Sequence, residues 1–349
     1  MVIRQMIVGA ASGAALMGVS LLAGAASAAR VDGPAVQWDM AMYGPPRSVT
    51  VLLDQIAKLT DEATDGKFKI KVHYGATLAP EKEVLDGLSI GAFQSGWVVV
   101  SYAPGKLTGV TGLDLPFIPV TTLDSVAQVQ RAYLALPEIA NDYKRWGTVA
   151  LVPCPIPFYE FMGKGKGLRS VADFKGQRLR VLGGLGESLR LVGAVPANFT
   201  SPDLYPSLDR GMLDAAALGY YAFDTWKLPE ISTWFSKGLA LTPPISTVTL
   251  NQKAFDSLPP QYQKLLGEVS LVAAGAQMKV LIEEDDKAEA NFLKRGLTRM
   301  EFPADERVKL VEAAGKPVHE KWAEDVTAKG YQGRKLLDFI LATAKKAGS

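Results

Sequence analysis

The sequence predicts an α/β protein built as two lobes, and three observations carry that reading. The chain has 349 residues and is 48% apolar, more than one hydrophobic core usually organises. Segments of strand period alternate with segments of helix period through most of its length, which implies sheets covered by helices on both faces. From Pro259 the texture changes to a helical pattern of more than thirty residues, long enough to span two lobes or brace one against the other.

Residues 1–28 stand apart from that pattern. They carry one basic residue, Arg4, no acid, the apolar stretch AALMGVSLLAGA and the ending Ala26-Ser27-Ala28. A positive start, an apolar middle and an A-x-A ending describe an export signal cut after about Ala28, and a single arginine excludes a twin-arginine address. An uncleaved anchor is the weaker alternative, because the apolar run is short and broken by Gly and Ser. No later stretch offers the roughly 18–20 unbroken apolar residues of a bilayer span, so the mature chain is expected to be exported and soluble.

The elements follow in order. Residues 35–43 (AVQWDMAMY) read as a strand, 48–66 as an amphipathic helix ending at a glycine, and 67–75 (KFKIKVHYG) as an alternating strand. A helix at 80–91 has Pro80 in its first turn, 93–103 (FQSGWVVVSYA) is a buried strand, and 113–119 (LDLPFIP) is a turn-bounded segment. One helix near 123–145 precedes strands at 148–154 and 158–165. A strand at 177–184 (QRLRVLGG) turns into a helix that places Glu187 in its first turn, where negative charge suits the helix dipole. The long helix runs from Pro259 to Gly296, and two amphipathic helices, 303–330 and 333–348, close the chain.

Several chemistries are excluded. The 38 Lys and Arg residues nearly balance the 36 Asp and Glu, with no dense basic cluster, so the basic face of a nucleic-acid partner is missing. Cys154 is the only cysteine, which forbids an intramolecular disulfide. His73 and His319 are the only histidines and are expected to be solvated or structural; neither a metal nor a cofactor is expected. The sequence has no G-x-S-x-G elbow, H-E-x-x-H or P-loop, GGLGES lacks the dinucleotide spacing, and GKGKGLR lacks a G-K-[ST] ending, so catalysis is not expected.

The QRLRVLGG strand poses the functional question. Alternation puts Arg178 and Arg180 on one face with Leu179 and Val181 on the other, and Arg180 is nearer the carboxyl end, where open α/β sheets bind ligands. A guanidinium fork grips a carboxylate through two parallel hydrogen bonds. An ordinary surface salt bridge explains the residue types equally well.

LRSVADFKGQRLRV (168–181), LVGAVPANFTSPDLYPSLDRGMLDAA (191–216) and LNQKAFDSLPPQYQKLL (250–266) together resemble, in order, the solute-binding subunits of tripartite ATP-independent periplasmic (TRAP) transporters, the DctP family. ATDGKFKIKVHYGATLAPEKEVLDGLSIGAFQ (63–94) and LDLPFI are similar to its amino-terminal motifs more loosely, so the resemblance spans about residues 35–330. It implies a two-lobed, Venus-flytrap periplasmic binding protein with a long helix bracing both lobes. One lobe would take 34–155 plus 246–285, and the other 156–245 plus 286–349. It also implies a periplasmic monomer that binds a small organic acid and passes it to the small and large membrane subunits of a permease.

Carried over by motif, the arginine that clamps the substrate carboxylate in relatives falls on Arg180; Arg178 falls on a position with no fixed binding role. Where many relatives have a second arginine this chain has Tyr159, and the polar anchor after their "vDg" turn is replaced by Ala216, Ala217 and Leu218. The glutamate with which some keto-acid-binding relatives hold a metal has no equivalent. What remains is aromatic: Trp38, Tyr43, Tyr102, Phe158, Tyr159, Tyr220, Tyr221, Phe223 and Trp226. Each taken singly is more often core than ligand contact. One arginine with mostly aromatic walls suits a monocarboxylate with an apolar or aromatic body, whose keto or hydroxyl oxygen tyrosines could read. The alternatives are a C4-dicarboxylate or keto-acid binder, and a binding module serving a periplasmic sensor or another transporter class. Arg180→Lys is expected to weaken binding and to leave the ligand-free melting temperature nearly unchanged.

Overall fold

The computed structural model describes residues 30–103 and 105–348. The export signal read at 1–28 lies outside the described residues. In chain order the elements are β1 (Val36–Ala41), α1 (Val51–Ala63), β2 (Phe68–His73), α2 (Val84–Ile90), β3 (Ser95–Val99), α3 (Leu123–Leu134), α4 (Pro137–Arg145) and β4 (Thr148–Pro153). Then come β5 (Glu160–Gly163), β6 (Arg178–Arg180), α5 (Gly183–Leu191), β7 (Val195–Ala197), α6 (Leu204–Asp209), β8 (Ala215–Leu218), α7 (Tyr220–Thr225) and β9 (Trp234–Lys237). The rest are β10 (Ser246–Asn251), α8 (Gln252–Asp256), α9 (Pro260–Lys294), β11 (Thr298–Glu301), α10 (Ala304–Ala314), α11 (Lys316–Thr327) and α12 (Gly333–Ala347).

Two sheets organise two lobes. The first has the order β2-β1-β3-β10-β4, with β1 parallel to β2 and β3, and β10 antiparallel to β3 and β4. The second has the order β11-β9-β5-β8-β6-β7, parallel where β6 meets β7 and β8, and antiparallel where β5 meets β8 and β9. The chain crosses between the sheets after β4 and returns before β10. These two crossings pair where the Tyr159 amide donates to Leu241 O at 2.8 Å and the Leu241 amide to Tyr159 O at 3.0 Å. Side chains of β3, β8 and β10 are buried along the whole strand, as expected of central strands covered on both faces.

Helix α9 is the brace. It packs along α1 and β4 of the first lobe and α7 of the second. Near its middle Gln277 Nε2 donates to Val49 O at 3.3 Å, and about two turns further on Asp285 Oδ1 accepts from the Tyr221 amide at 2.9 Å.

Several expectations are corrected. The helix read at 123–145 is two, because Pro137 cannot continue α3 but fits the first turn of α4. The helix read at 303–330 divides at Gly315, with Pro317 in the first turn of α11. Helix α5 starts at Gly183, so Glu187 lies beyond its first turn. Residues 286–349 do not all belong with the second sheet. Helix α10 packs on α5, where Ser188 Oγ donates to Ala314 O at 2.9 Å, but α12 lays Leu336, Leu337, Ile340 and Ala344 into the core beneath α3. Trp322 Nε1 likewise donates to Thr111 Oγ1 at 2.9 Å in the first lobe. Helices α11 and α12 thus cross back, and their apolar stripes are buried in the core of the first lobe.

Candidate functional site

Strand β6 is only three residues long, and its two arginines have different surroundings. Arg178 is exposed: Nε and Nη2 grip Asp214 at 3.1 and 2.5 Å, and Nη1 donates to Gly211 O at 2.5 Å. The Arg178 hydrogen bond holds the Asp214 carboxyl below its usual range. Arg180 is 1% exposed. Its Nε donates to Phe199 O at 2.9 Å, Nη1 to Ala217 O at 3.0 Å and Nη2 to the Tyr102 hydroxyl at 3.0 Å. Among the described residues no Asp or Glu reaches ion-pairing distance of Arg180, although a buried charge is normally paired. A guanidinium has five N–H donors; these three bonds and the neighbouring Tyr159 hydroxyl leave at least one for something else.

Arg180 lines a small, partly open cavity of about 40 Å³ between the lobes. The first lobe contributes Tyr43, Arg47, Trp97 and Tyr102; the second contributes Arg180, Ser201, Tyr221 and Trp226, with Tyr159 on the crossing segment. The Tyr159 hydroxyl lies beside Arg180: burial drives its pKa far up, with the guanidinium pulling the other way. Burial also raises Tyr43 and Tyr221. These phenols are therefore neutral at ordinary pH and act as hydrogen-bond donors.

Of the aromatics singled out in the sequence, Tyr43, Tyr102, Tyr159, Tyr221 and Trp226 come together here. Four others, Trp38, Phe158, Tyr220 and Phe223, do not. Trp38 points from β1 into the core, edge-on to Phe68 at 5.1 Å. The Tyr220 hydroxyl donates to Ser236 O at 2.5 Å, and its ring packs among Phe223, Phe235 and Phe292. Successive residues of a helix point about 100° apart, so Tyr221 faces the cavity and Tyr220 cannot. Phe158, half-buried, borders a separate surface groove with Tyr220, Lys237 and Asp285.

The main residue missed is Arg47, just before α1. Its Nη1 donates to Tyr43 O at 3.1 Å and Pro45 O at 2.8 Å, and its guanidinium lies 5.3 Å from the ring centroids of both Tyr43 and Trp226. The contact with Trp226 crosses between lobes and depends on Gly44. That glycine has φ +69°, and a Cβ there would stand 2.8 Å from Trp226 Cη2 and 2.9 Å from Arg47 Nη1. The only sequence signal was an arginine following Pro45-Pro46 at a helix entrance.

Beside the cavity, Asp114 is buried where the lobes meet. Its carboxylate accepts from Ile245 N at 2.7 Å and Ser101 Oγ at 2.5 Å, and burial pushes its pKa up to about 6. His319 is structural, bonded to Pro116 O at 2.6 Å, and His73 meets Asp39 Oδ1 at 2.6 Å. Cys154 is free and buried. Among the described residues no group of three or more His, Cys, Asp or Glu could hold a metal ion.

Two α/β lobes joined by paired crossing segments, closed over a buried cation that lacks an acid partner, define a solute receptor. Residues 43–325 match the model of bacterial extracellular solute-binding protein family 7, DctP, and the chain belongs to that family, that of the TRAP-type solute receptors. It is 25% identical over 315 residues to a monocarboxylate 2-oxoacid-binding periplasmic protein of a Nostoc species, an alignment covering 83% of this chain and 84% of that one. A TRAP solute-binding protein of Rhodoferax ferrireducens, crystallised with copurified benzoate, superposes with a TM-score of 0.81 at 20% identity over 89% of this chain and 98% of that one. A marine metagenome TRAP protein specific for aromatic acids, crystallised with 3-hydroxybenzoate, does so with a TM-score of 0.81 at 18% identity over 91% and 100% of the two chains.

Proposed function

We propose that this receptor, exported by its leader, captures a monocarboxylate with an apolar or aromatic body in the periplasm and hands it to the membrane subunits of a TRAP permease. The observation that carries the reading is Arg180: a guanidinium buried without an acid partner, with a donor to spare, in a cavity walled by aromatic rings. The acid of the ligand would complete the missing ion pair through charge-assisted bonds worth about 1.5–3 kcal/mol each in a water-poor site. Tyr43, Tyr159 and Tyr221 would stack on its body or donate to an oxygen next to the carboxylate. Ala215–Leu218, apolar and fully buried, leaves nothing on β8 to hold a second carboxylate or a sugar hydroxyl. The names of the benzoate-bound and aromatic-acid-specific relatives support the ring, and that of the Nostoc relative supports a single carboxylate with a 2-oxo group.

Ligand shifts the lobes only by binding the closed form better than the open one, and a solute touching cavity residues of both lobes would supply that difference. Calorimetric titration with benzoate, benzoylformate, 3-hydroxybenzoate, malate and N-acetylneuraminate tests the reading. Binding confined to the ring monocarboxylates is expected. Binding only of malate or the sugar acid would overturn it.

A further inference from the structure

The cavity holds a second guanidinium that is spare in the same sense as Arg180. Arg47 is half-buried, and among the described residues it makes no ion pair. Its two protein hydrogen bonds both come from Nη1, which leaves Nε and Nη2 without a protein acceptor. The side chain is held in place: two backbone carbonyls fix Nη1, and the rings of Tyr43 and Trp226 each lie 5.3 Å from the guanidinium. A planar fork fixed at one corner, on a residue that lines the ligand cavity as well as an outer groove, is suited to reading an acceptor atom. It also comes from the lobe opposite Arg180, so a ligand touching both would be held by one guanidinium from each side.

We infer that Arg47 is a specificity-determining residue that reads a second oxygen acceptor on the ligand, so the preferred solute is a ring acid carrying a hydroxyl or carbonyl oxygen in addition to its carboxylate. This rests on the reading of Arg180 as the carboxylate clamp and adds a second point of recognition. A bare aromatic acid would leave the Nε and Nη2 donors of Arg47 without an acceptor on the ligand. An oxygen-bearing one satisfies them, and a site built to hydrogen-bond a group discriminates strongly against the analogue that lacks it.

The test compares benzoate with 3-hydroxybenzoate and 4-hydroxybenzoate, titrated into the wild-type protein, Arg47→Leu and Arg47→Gln, with ligand-free melting temperatures as the check on folding. The wild type is expected to bind at least one hydroxybenzoate roughly tenfold or more tightly than benzoate. In Arg47→Leu that preference should shrink to within about threefold, whatever the change in affinity for benzoate itself, and Arg47→Gln should keep part of it. A wild type without the preference, a preference that survives in Arg47→Leu, or equal weakening of all three acids would overturn the role of Arg47, the last marking it as a closure contact only. Failure of the wild type to bind any ring acid would instead overturn the aromatic reading and this inference with it.

Discussion

Arg180 Nη2 donates to the Tyr102 hydroxyl at 3.0 Å across the two lobes, and the same oxygen accepts the Ser201 amide at 3.1 Å. Tyr102 follows β3 in the first lobe, whereas Arg180 and Ser201 belong to the second. One phenolic oxygen thus sets the direction of the guanidinium and joins the lobes at the ligand cavity. Tyr102→Phe strands two buried donors, which should cost about 1–3 kcal/mol of stability by chemical denaturation and weaken acid binding as well. Stability within experimental error of the wild type would show that the hydroxyl does not hold these groups.

Arg180→Lys should weaken binding of the cognate acid roughly tenfold or more, because an ammonium cannot form two parallel bonds to a carboxylate. The sequence alone suggested that the ligand-free melting temperature would not change. The structure alters that expectation: Phe199 O and Ala217 O take their donors from Arg180, and a lysine cannot reach both along with Tyr102. Calorimetry of the ligand-free variant should show a lowered melting temperature, and an unchanged one would mean that these carbonyls find other donors.

Tyr220 and Tyr221, adjacent in sequence, should separate cleanly. Tyr220→Phe removes a buried bond to Ser236 O and should cost about 1 kcal/mol of stability with no change in affinity. Tyr221→Phe alters the cavity wall and should change affinity with little effect on stability. Paired titrations and denaturant melts check both. Equal effects from the two would contradict the placement of Tyr220 in the aromatic core.

How far the sequence could reach is visible in these same residues. Alternation along QRLRVLGG and the position of Arg180 at a strand end marked it, and the long helical period from Pro259 marked α9 as the brace. Periodicity is blind to what lies across the cleft. Arg47 carries no local signal, because its role comes from Trp226, which is remote in sequence and meets it only when the lobes close. Trp38 and Tyr43 lie on one strand and its exit, and only the packing of α1 and Phe68 decides which becomes core. The return of α12 to the first lobe was hidden for a similar reason: its amphipathic stripe shows that it packs, not on what.

Asp114 gives the protein, with its lobes together, a pH dependence. Its folded pKa of about 6 lies above the ordinary aspartate value of 3.8, so between those values the folded state holds a proton that the unfolded chain has released. Stability is therefore greatest, from this group, below the lower value, falls as pH rises through the window and levels off above about 6. The total is on the order of 2–3 kcal/mol, set by the burial that raises the pKa. Asp114→Asn can keep both bonds, accepting from Ile245 N and donating to Ser101 Oγ. Urea melts from pH 4 to pH 8 should show the slope in the wild type and its loss in the variant; a slope that persists in Asp114→Asn would assign it to another group.

Gly183 stands three residues beyond Arg180, at the start of α5, with φ +55°. A Cβ there would fall 2.8 Å from Asp114 Cβ and 3.0 Å from Ser101 Oγ, both on the facing lobe. The left-handed backbone costs an alanine about 1–2 kcal/mol whether the cleft is open or closed, whereas the collision arises only on closure. Gly183→Ala should therefore act chiefly on binding: the cognate acid should bind roughly tenfold more weakly or worse, while ligand-free stability drops by no more than the backbone strain. Small-angle scattering should also show that saturating acid no longer brings the variant to the wild-type radius of gyration. Wild-type affinity and compaction in Gly183→Ala would mean that the turn after β6 does not come this close to Asp114 when the solute is held.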